Sequence, residues 1–405
     1  MSDNTRWARR RLLAGGGLAA GAALAGAGLI ARDQRPAPTD TAANAAIGEA
    51  AIAFHGPHQA GVLTPPQAHA VFIALDLRRG ADRDDLTRMM RLLSDDAARL
   101  TQGRAALADT EPELAARPAR LTVTFGFGPD LFTKARLDPA PVAQLPRFDI
   151  DRLQARWSGG DLLVQICSDD PVTVAHTQRM LIKDARAFTT VRWLQRGFRR
   201  AAGADPAAMT QRNLLGQVDG TVQPPEHVQD QAVWIDKQPS WLHGGTTLVV
   251  RRIRAELETW DAVDRQGKEL TIGRRLSSGA PLTGKDEHDT ADYAATDSLG
   301  LPVISQFAHI RRAHVADPAR RMLRRPYNYD DGLSTDGASD AGLVFAAYQA
   351  DIETQYLPIQ RMLAESDLLN EWTTPIGSAV FAVPPGAQEG GFVGDTLLTR
   401  PPKIG

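Results

Sequence analysis

Two stretches of this chain echo each other, and the echo limits the folds open to it more than any other feature. Gln178-Arg179-Met180-Leu181 starts nine positions after Asp169, and Gln360-Arg361-Met362-Leu363 starts nine positions after Asp351. A chain of 405 residues is long for one compact core, which leaves two packed units or one large α/β-type domain. Because both copies fall on the same kind of element in their own half, duplication into two units is the expectation.

In the first half, 70–77 (AVFIALDL) reads as a buried strand. The stretch 82–100 then sets Leu86, Met89, Met90, Leu93, Ala97 and Leu100 on one helical stripe, with acidic residues in its first turn. Strands at 121–127, 161–166 and 188–194 and a helix over 172–187 complete the order β-α-β-β-α-β, a ferredoxin-like unit. The second half gives strand patterns at 246–257, 342–349 and 378–383 and helix patterns at 260–275 and 352–365. The expected fold is α+β: duplicated ferredoxin-like domains (βαββαβ) with antiparallel sheets, occupying 46–215 and 216–405. The stretches 196–240 and 276–340 are long and irregular, and such segments inside compact proteins commonly carry function.

The first 45 residues are of another kind. Arg9, Arg10 and Arg11 precede Leu12, Leu13 and an Ala/Gly/Leu run reaching Ile30, the charged and apolar regions of an export signal. Adjacent arginines beside paired leucines point to the twin-arginine route. A membrane-spanning helix is the competing reading, but glycines at 15, 16, 17, 21, 26 and 28 make the run weakly apolar and poorly helical. Residues 32–44 form a polar, Pro-containing, Ala-rich spacer. The expected location is therefore periplasmic or extracellular, with the twin-arginine translocation machinery as a partner. That route carries folded proteins, which suits a chain whose single cysteine, Cys167, can form no internal disulfide and sits in an apolar run as a buried structural residue. The formal charge of −2 offers no general attraction to nucleic acid or anionic lipid.

Few residues announce chemistry locally. Gly216-Gln217-Val218-Asp219-Gly220-Thr221 is first a turn signal. His309-Ile310-Arg311-Arg312-Ala313-His314, a histidine among arginines, reads by itself as surface. His55 and His58 lack a cysteine or acidic partner nearby, so a loop with structural hydrogen bonds is expected there. Trp193, Trp241, Trp260 and Tyr327 read as packing, and Arg251-Arg252-Ile253-Arg254 as a solvated or ion-paired strand face.

Taken together, however, ordered blocks resemble one family. FHGPHQAGVLTPPQ (54–67), LTVTFGFGPDLF (121–132), NLLGQVDGT (213–221), WLHGGTTLVVRRIR (241–254), ETWD (258–261), SSGAPLTG (277–284), AHIRRA (308–313) and LRRPYNYDDGL (323–333) are similar to the dye-decolourising (DyP-type) haem peroxidases. The likeness is greatest to their exported, twin-arginine-targeted branch, which includes iron-uptake-linked members of the deferrochelatase type. It runs from about residue 50 to 400.

The resemblance implies haem b, one per chain, held mainly by the C-terminal half. It implies His309 as the proximal iron ligand, Asp219 as the distal carboxylate and Arg324 as the distal arginine. Asp351 would be the carboxylate partner of His309, and Arg311 a partner for a haem propionate. The implied reaction reduces hydrogen peroxide through an oxidised haem state and oxidises dyes, phenolics or metal ions. Asp219 would shuttle the peroxide proton and Arg324 would stabilise developing negative charge. A carboxylate, with an ordinary pKa of about 4, stays a base in acid where a histidine would be protonated, so an acidic optimum is expected. Two rivals share the pocket or the fold: a haem-handling protein that releases iron for uptake, together with iron-uptake partner proteins, and a non-haem ferredoxin-like binding protein. The chain departs from the family pattern after His309, where Ala313-His314-Val315-Ala316-Asp317 stands and His314 offers a second imidazole. Pro326 follows the arginine pair where glycine is common.

Overall fold

Strand β1 (His69–Leu77) carries apolar side chains on both faces: Val71, Ile73 and Leu75 enter one core, Ala70, Phe72 and Ala74 another. The period of two along a strand separates the sets, and a strand buried on both sides needs a layer on each. The computed structural model, which describes residues 47–399 except 138, 206–208, 238 and 336, supplies both layers. The expected export signal and spacer lie outside the described residues.

In the first half, α1 (Arg83–Leu100), β2 (Thr122–Phe127), β3 (Leu162–Ser168), α2 (Pro171–Ala185) and β4 (Thr189–Phe198) follow β1. The antiparallel order β4-β1-β3-β2 is that of a ferredoxin-like unit. Helix α1 begins at a capping box between Asp82 and Asp85, with Asp84 and Asp85 in the first turn, and buries its predicted stripe against the sheet.

The second half holds β5 (Thr246–Ala255), α3 (His309–Arg312), β6 (Leu323–Arg324), β7 (Tyr327–Leu333), β8 (Ser339–Gln349), α4 (Leu357–Ser366) and β9 (Thr373–Val383). Its order β7-β8-β5-β9 repeats that of the first half. Single pairs, Phe127 with Ala382 and Phe198 with Asn328, join the two sheets at both edges. The inner faces meet in one apolar cluster that includes Phe72, Cys167, Tyr327, Tyr348 and Phe381. Inside it, the Tyr348 hydroxyl donates to Gln165 Oε1 at 2.8 Å, a polar tie between the halves. Cys167 is buried and unpaired. Among the described residues no helix is long and apolar enough to cross a membrane.

Three expectations are corrected. The stretch 276–340 is not irregular throughout, because it contains β6 and β7; Tyr327 and Tyr329 are fully buried on one face of β7 while aspartates and a glycine fill its end, which hides the alternation. The helix expected over 260–275 is two short helices, Leu257–Asp261 and Arg265–Ile272, the second capped by Asp264 and closed by Gly273. The helix expected over 352–365 opens as a π-turn over Ile352–Tyr356 before α4. In β5, Arg251 and Arg252 are buried and ion-paired: Arg251 with Asp151, Arg252 with Asp331 and Asp340 while stacked between Trp157 and Tyr329.

Candidate active site

Asp219 is placed by backbone economy. Arg212 and Val218 form an antiparallel bridge, the Asn213 amide donates to Gln217 O, and the Asp219 amide donates to Gln211 O, both at 2.9 Å. Gly216 turns the chain at φ 80° and Gly220 turns it again at φ 125°, conformations that a side chain would strain. Between them the carboxylate is held at a cavity wall. Asn213 Nδ2 donates to Asp219 Oδ2 at 3.3 Å, and Arg324 Nη1 donates to Asp219 Oδ1 at 3.3 Å.

Arg324 is fixed from both sides of its own peptide. Its amide donates to Gln223 Oε1 at 2.8 Å and its carbonyl accepts from Gln223 Nε2 at 3.0 Å. Strand β6 adds Arg324 to β8 opposite Ala347, and Nη2 donates to Val222 O at 3.0 Å. The altered segment before it therefore leads into a clamped arginine.

His309 stands on the four-residue helix α3. The Leu368 amide donates to Phe307 O at 3.0 Å, and the Arg312 guanidinium donates to Met362 O, so α3 is tied to the C-terminal end of α4. That end carries Asp367, whose Oδ2 accepts from His309 Nδ1 at 2.6 Å while Oδ1 accepts from the Leu369 amide at 2.9 Å. The carboxylate is 3% exposed and the imidazole 31%, so the ring faces open space while its anchor is enclosed. Burial opposes charge on the ring, but Asp367 outweighs it and holds His309 above its ordinary pKa; Asp219 also raises it and Arg324 opposes. With Nδ1 given to Asp367, Nε2 is left to the cavity.

The structure brings Asp219, Arg324 and His309 to one cavity of about 520 Å³, within the usual range for a cofactor site. Its wall runs from Asn213 to Pro375 with Ile150 and is otherwise drawn from the second half; apolar residues such as Leu215, Ile253, Phe345, Ile359 and Leu363 dominate. Asp351 is not at this wall. It caps the π-turn, Oδ1 accepting from the Glu353 and Thr354 amides, so Asp367 replaces it as the partner of His309. Arg311 is also turned away: its guanidinium donates to Ile304 O at 3.0 Å and lies over the Tyr293 ring. His314 does line the cavity, but its ring leans on Tyr293 and no carboxylate anchors it among the described residues; burial, then Arg321, lowers its pKa. His58 Nδ1 donates to Gly244 O at 2.6 Å and its ring stacks on Trp234, as a loop residue would.

A family model for the C-terminal part of Dyp-type peroxidases matches residues 210–388, and one for the N-terminal part matches 59–199. The chain belongs to the DyP-type peroxidase family. It is 40% identical over 363 residues to the dye-decolorizing peroxidase of Thermobifida fusca, covering 84% of this chain and 83% of that protein. It is 36% identical over 370 residues to the deferrochelatase of Escherichia coli K12, covering 85% and 86%. The crystal structure of a DyP-type peroxidase from Cellulomonas bogoriensis superposes with a TM-score of 0.85 at 49% identity, over 87% of this chain and 99% of that one. The α+β architecture is that of these relatives. As a DyP-type peroxidase the chain is a peroxide-using oxidoreductase whose cofactor is haem.

The cavity suits that group. Among the described residues no cluster of three or more His, Cys, Asp or Glu could hold a metal ion, whereas one anchored imidazole with a free nitrogen suits iron already held by a macrocycle. Asp367 and Gln223 carried no sequence signal of their own, and each acts on an element remote in sequence, whereas Asn213 acts on Asp219 within one turn, six positions away.

Proposed function

We propose that this peroxidase works on haem b, one per chain, which His309 Nε2 would hold through its iron, with Asp219 and Arg324 at the same cavity to act on peroxide. The observation that supports this reading is the His309–Asp367 pair sharing one apolar cavity with the Asp219–Arg324 pair. Haem, when bound, supplies the redox centre at which peroxide is cleaved and from which a reductant is oxidised. The protein supplies the rest. Asp367 Oδ2 accepts from His309 Nδ1, which fixes the tautomer and makes the ring more electron-donating. Asp219 takes the peroxide proton and returns it to the leaving oxygen, with Asn213 orienting its carboxylate. Arg324, permanently charged, stabilises the negative charge that develops there. A carboxylate in this role stays active in acid, so we place the optimum on the acid side, with dyes, phenolics or metal ions as reductants.

The twin-arginine stretch at 9–13 supports export of the folded, loaded enzyme by the translocation machinery to the periplasm or beyond. The test is the optical spectrum of the haem-loaded protein before and after peroxide. His309→Ala should lose the Soret band of the ligated haem, and Asp219→Asn and Arg324→Leu should keep it but respond slowly to peroxide. If both distal variants respond as fast as wild type, the proton and charge roles are wrong. The likeness to the deferrochelatase favours a second reading, release of iron from haem to iron-uptake partners. It would show as iron-free porphyrin accumulating without peroxide consumption.

A further inference from the structure

Among the described residues the cavity wall carries four arginines, Arg251, Arg274, Arg321 and Arg324. Three are committed to the protein. Arg251 is paired with Asp151, Arg324 with Asp219 and Val222 O, and Arg274 donates to Gly279 O and Glu287 O. Arg321 differs. Its main chain is fixed, the carbonyl accepting from Gln355 Nε2 at 3.0 Å and the amide donating to Pro318 O at 3.2 Å. Its guanidinium meets no carboxylate, carbonyl or aromatic ring among the described residues, and its Nε is enclosed without a partner.

The acidic residues of the same wall are engaged elsewhere. Glu287 accepts from Thr221 Oγ1, Asp289 from the Lys285 and Asp286 amides, and Asp367 from His309. Arg321 is half-buried and its enclosed Nε lacks an acceptor, so an anion entering the cavity would satisfy a donor that the protein leaves unmet. A planar fork of N–H donors matches a carboxylate in two-point geometry.

We infer that Arg321 binds a propionate carboxylate of the haem, an inference that rests on the haem reading above. It assigns to Arg321 the role that sequence resemblance gave to Arg311, whose guanidinium is occupied by Ile304 O and Tyr293. It also gives work to the segment 314–322, which sets Arg321 three residues before Arg324. Haem's carboxylates lie on one edge of the ring, so one charge pair fixes rotation of the macrocycle about its normal while His309 fixes its height.

The test titrates the haem-free full chain with haem and with haem dimethyl ester, which lacks both charges, following the Soret band. Arg321→Gln should weaken haem binding by roughly ten- to a hundredfold, the range of a charge-assisted hydrogen-bonded pair, and leave ester binding unchanged. Arg311→Gln should discriminate between the two ligands no more than wild type does. Equal losses for haem and ester in Arg321→Gln would make Arg321 a structural residue and overturn the inference. An unchanged haem affinity with a raised KM for an anionic dye would overturn it as well, assigning the cation to substrate. Failure of wild type to bind haem at all would instead strike the haem reading.

Discussion

In the first half, helix α1 lies on its sheet with Leu86, Met89, Met90 and Leu93 wholly buried, and the space beneath it is filled. In the second half the corresponding connection, 256–326, has only short helices, and the space beneath it is the cavity. The repeated Gln-Arg-Met-Leu marks the contrast at one position. Leu181 is 1% exposed in the packed core, whereas its counterpart Leu363 faces the cavity. A duplicated fold can hollow one copy because the other copy remains filled and shares an inner core with it, so stability and chemistry reside in different halves.

The largest expected effects separate those two functions. Asp219→Asn should lower kcat/KM by about 10²- to 10⁴-fold, the range of a positioned proton-transfer group, and Arg324→Leu by about 10²- to 10³-fold. Neither should move the Tm by more than a surface substitution does. A thermal melt alongside steady-state kinetics checks this, and a large Tm loss in either variant would mean that the hollow half is held together by its own active-site pair.

Next comes the matched pair of leucines. Leu181→Ala should cost about 2–5 kcal/mol of stability, as buried leucine truncations do, with haem affinity unchanged. Leu363→Ala should cost less stability, because one side of the side chain already meets open space, and should alter haem affinity or reductant preference. Denaturant melts and Soret titrations of both variants decide it. Equal stability losses would erase the distinction between the halves.

A smaller effect is expected at the tie behind His309. Asp367→Asn keeps the shape but withdraws the charge, and should reduce activity by roughly 10- to 100-fold, typical for a partner behind a metal ligand, while Asp351→Asn should leave activity unchanged. Loss on Asp351→Asn instead would restore the sequence-based assignment. That assignment failed for a physical reason. Asp351 caps the turn that follows it and spends its carboxylate on the Glu353 and Thr354 amides; its match in the repeat, Asp169, is held instead by Arg120 and the Ala68 amide, and the cap in the first half is the next residue, Asp170.

What the sequence disclosed follows the range of the forces involved. Strand alternation, the α1 stripe, its capping acids and the Gly216 and Gly220 turns are local, and each was readable within a few residues. Asp367 meets His309 across 58 positions, Gln223 holds Arg324 across 101, and Arg251 meets Asp151 across 100. Such contacts exist only after the sheets have closed, and nothing in the residue types distinguishes these side chains from their neighbours. Strand β7 escaped notice for a related reason: its buried tyrosines and aspartates are sorted by the inter-sheet core, which no local window contains.

The subtlest expected effect lies in the filled half. Among the described residues, Asp96 on α1 and Asp184 on α2 present enclosed Oδ2 atoms with no donor, and a proton between them would satisfy both. Burial, then the hydrogen bond and charge of Asp96, push Asp184 up to about 7, against opposing pull from Lys183 and Arg186. The sign follows directly. Between the unfolded carboxyl value near 3.8 and about 7, the folded state binds more protons than the unfolded state. Stability from this pair is therefore full in acid, falls as pH rises through that window, and levels off above it. The Tm should drop by on the order of a few °C across the window, and Asp184→Asn, which donates to Asp96 without titrating, should flatten the slope. Parallel Tm profiles for the two proteins would show that no proton is shared. A first half tightest in acid would match the acid optimum proposed for the second half, so the two unlike copies would be tuned to one environment by different groups.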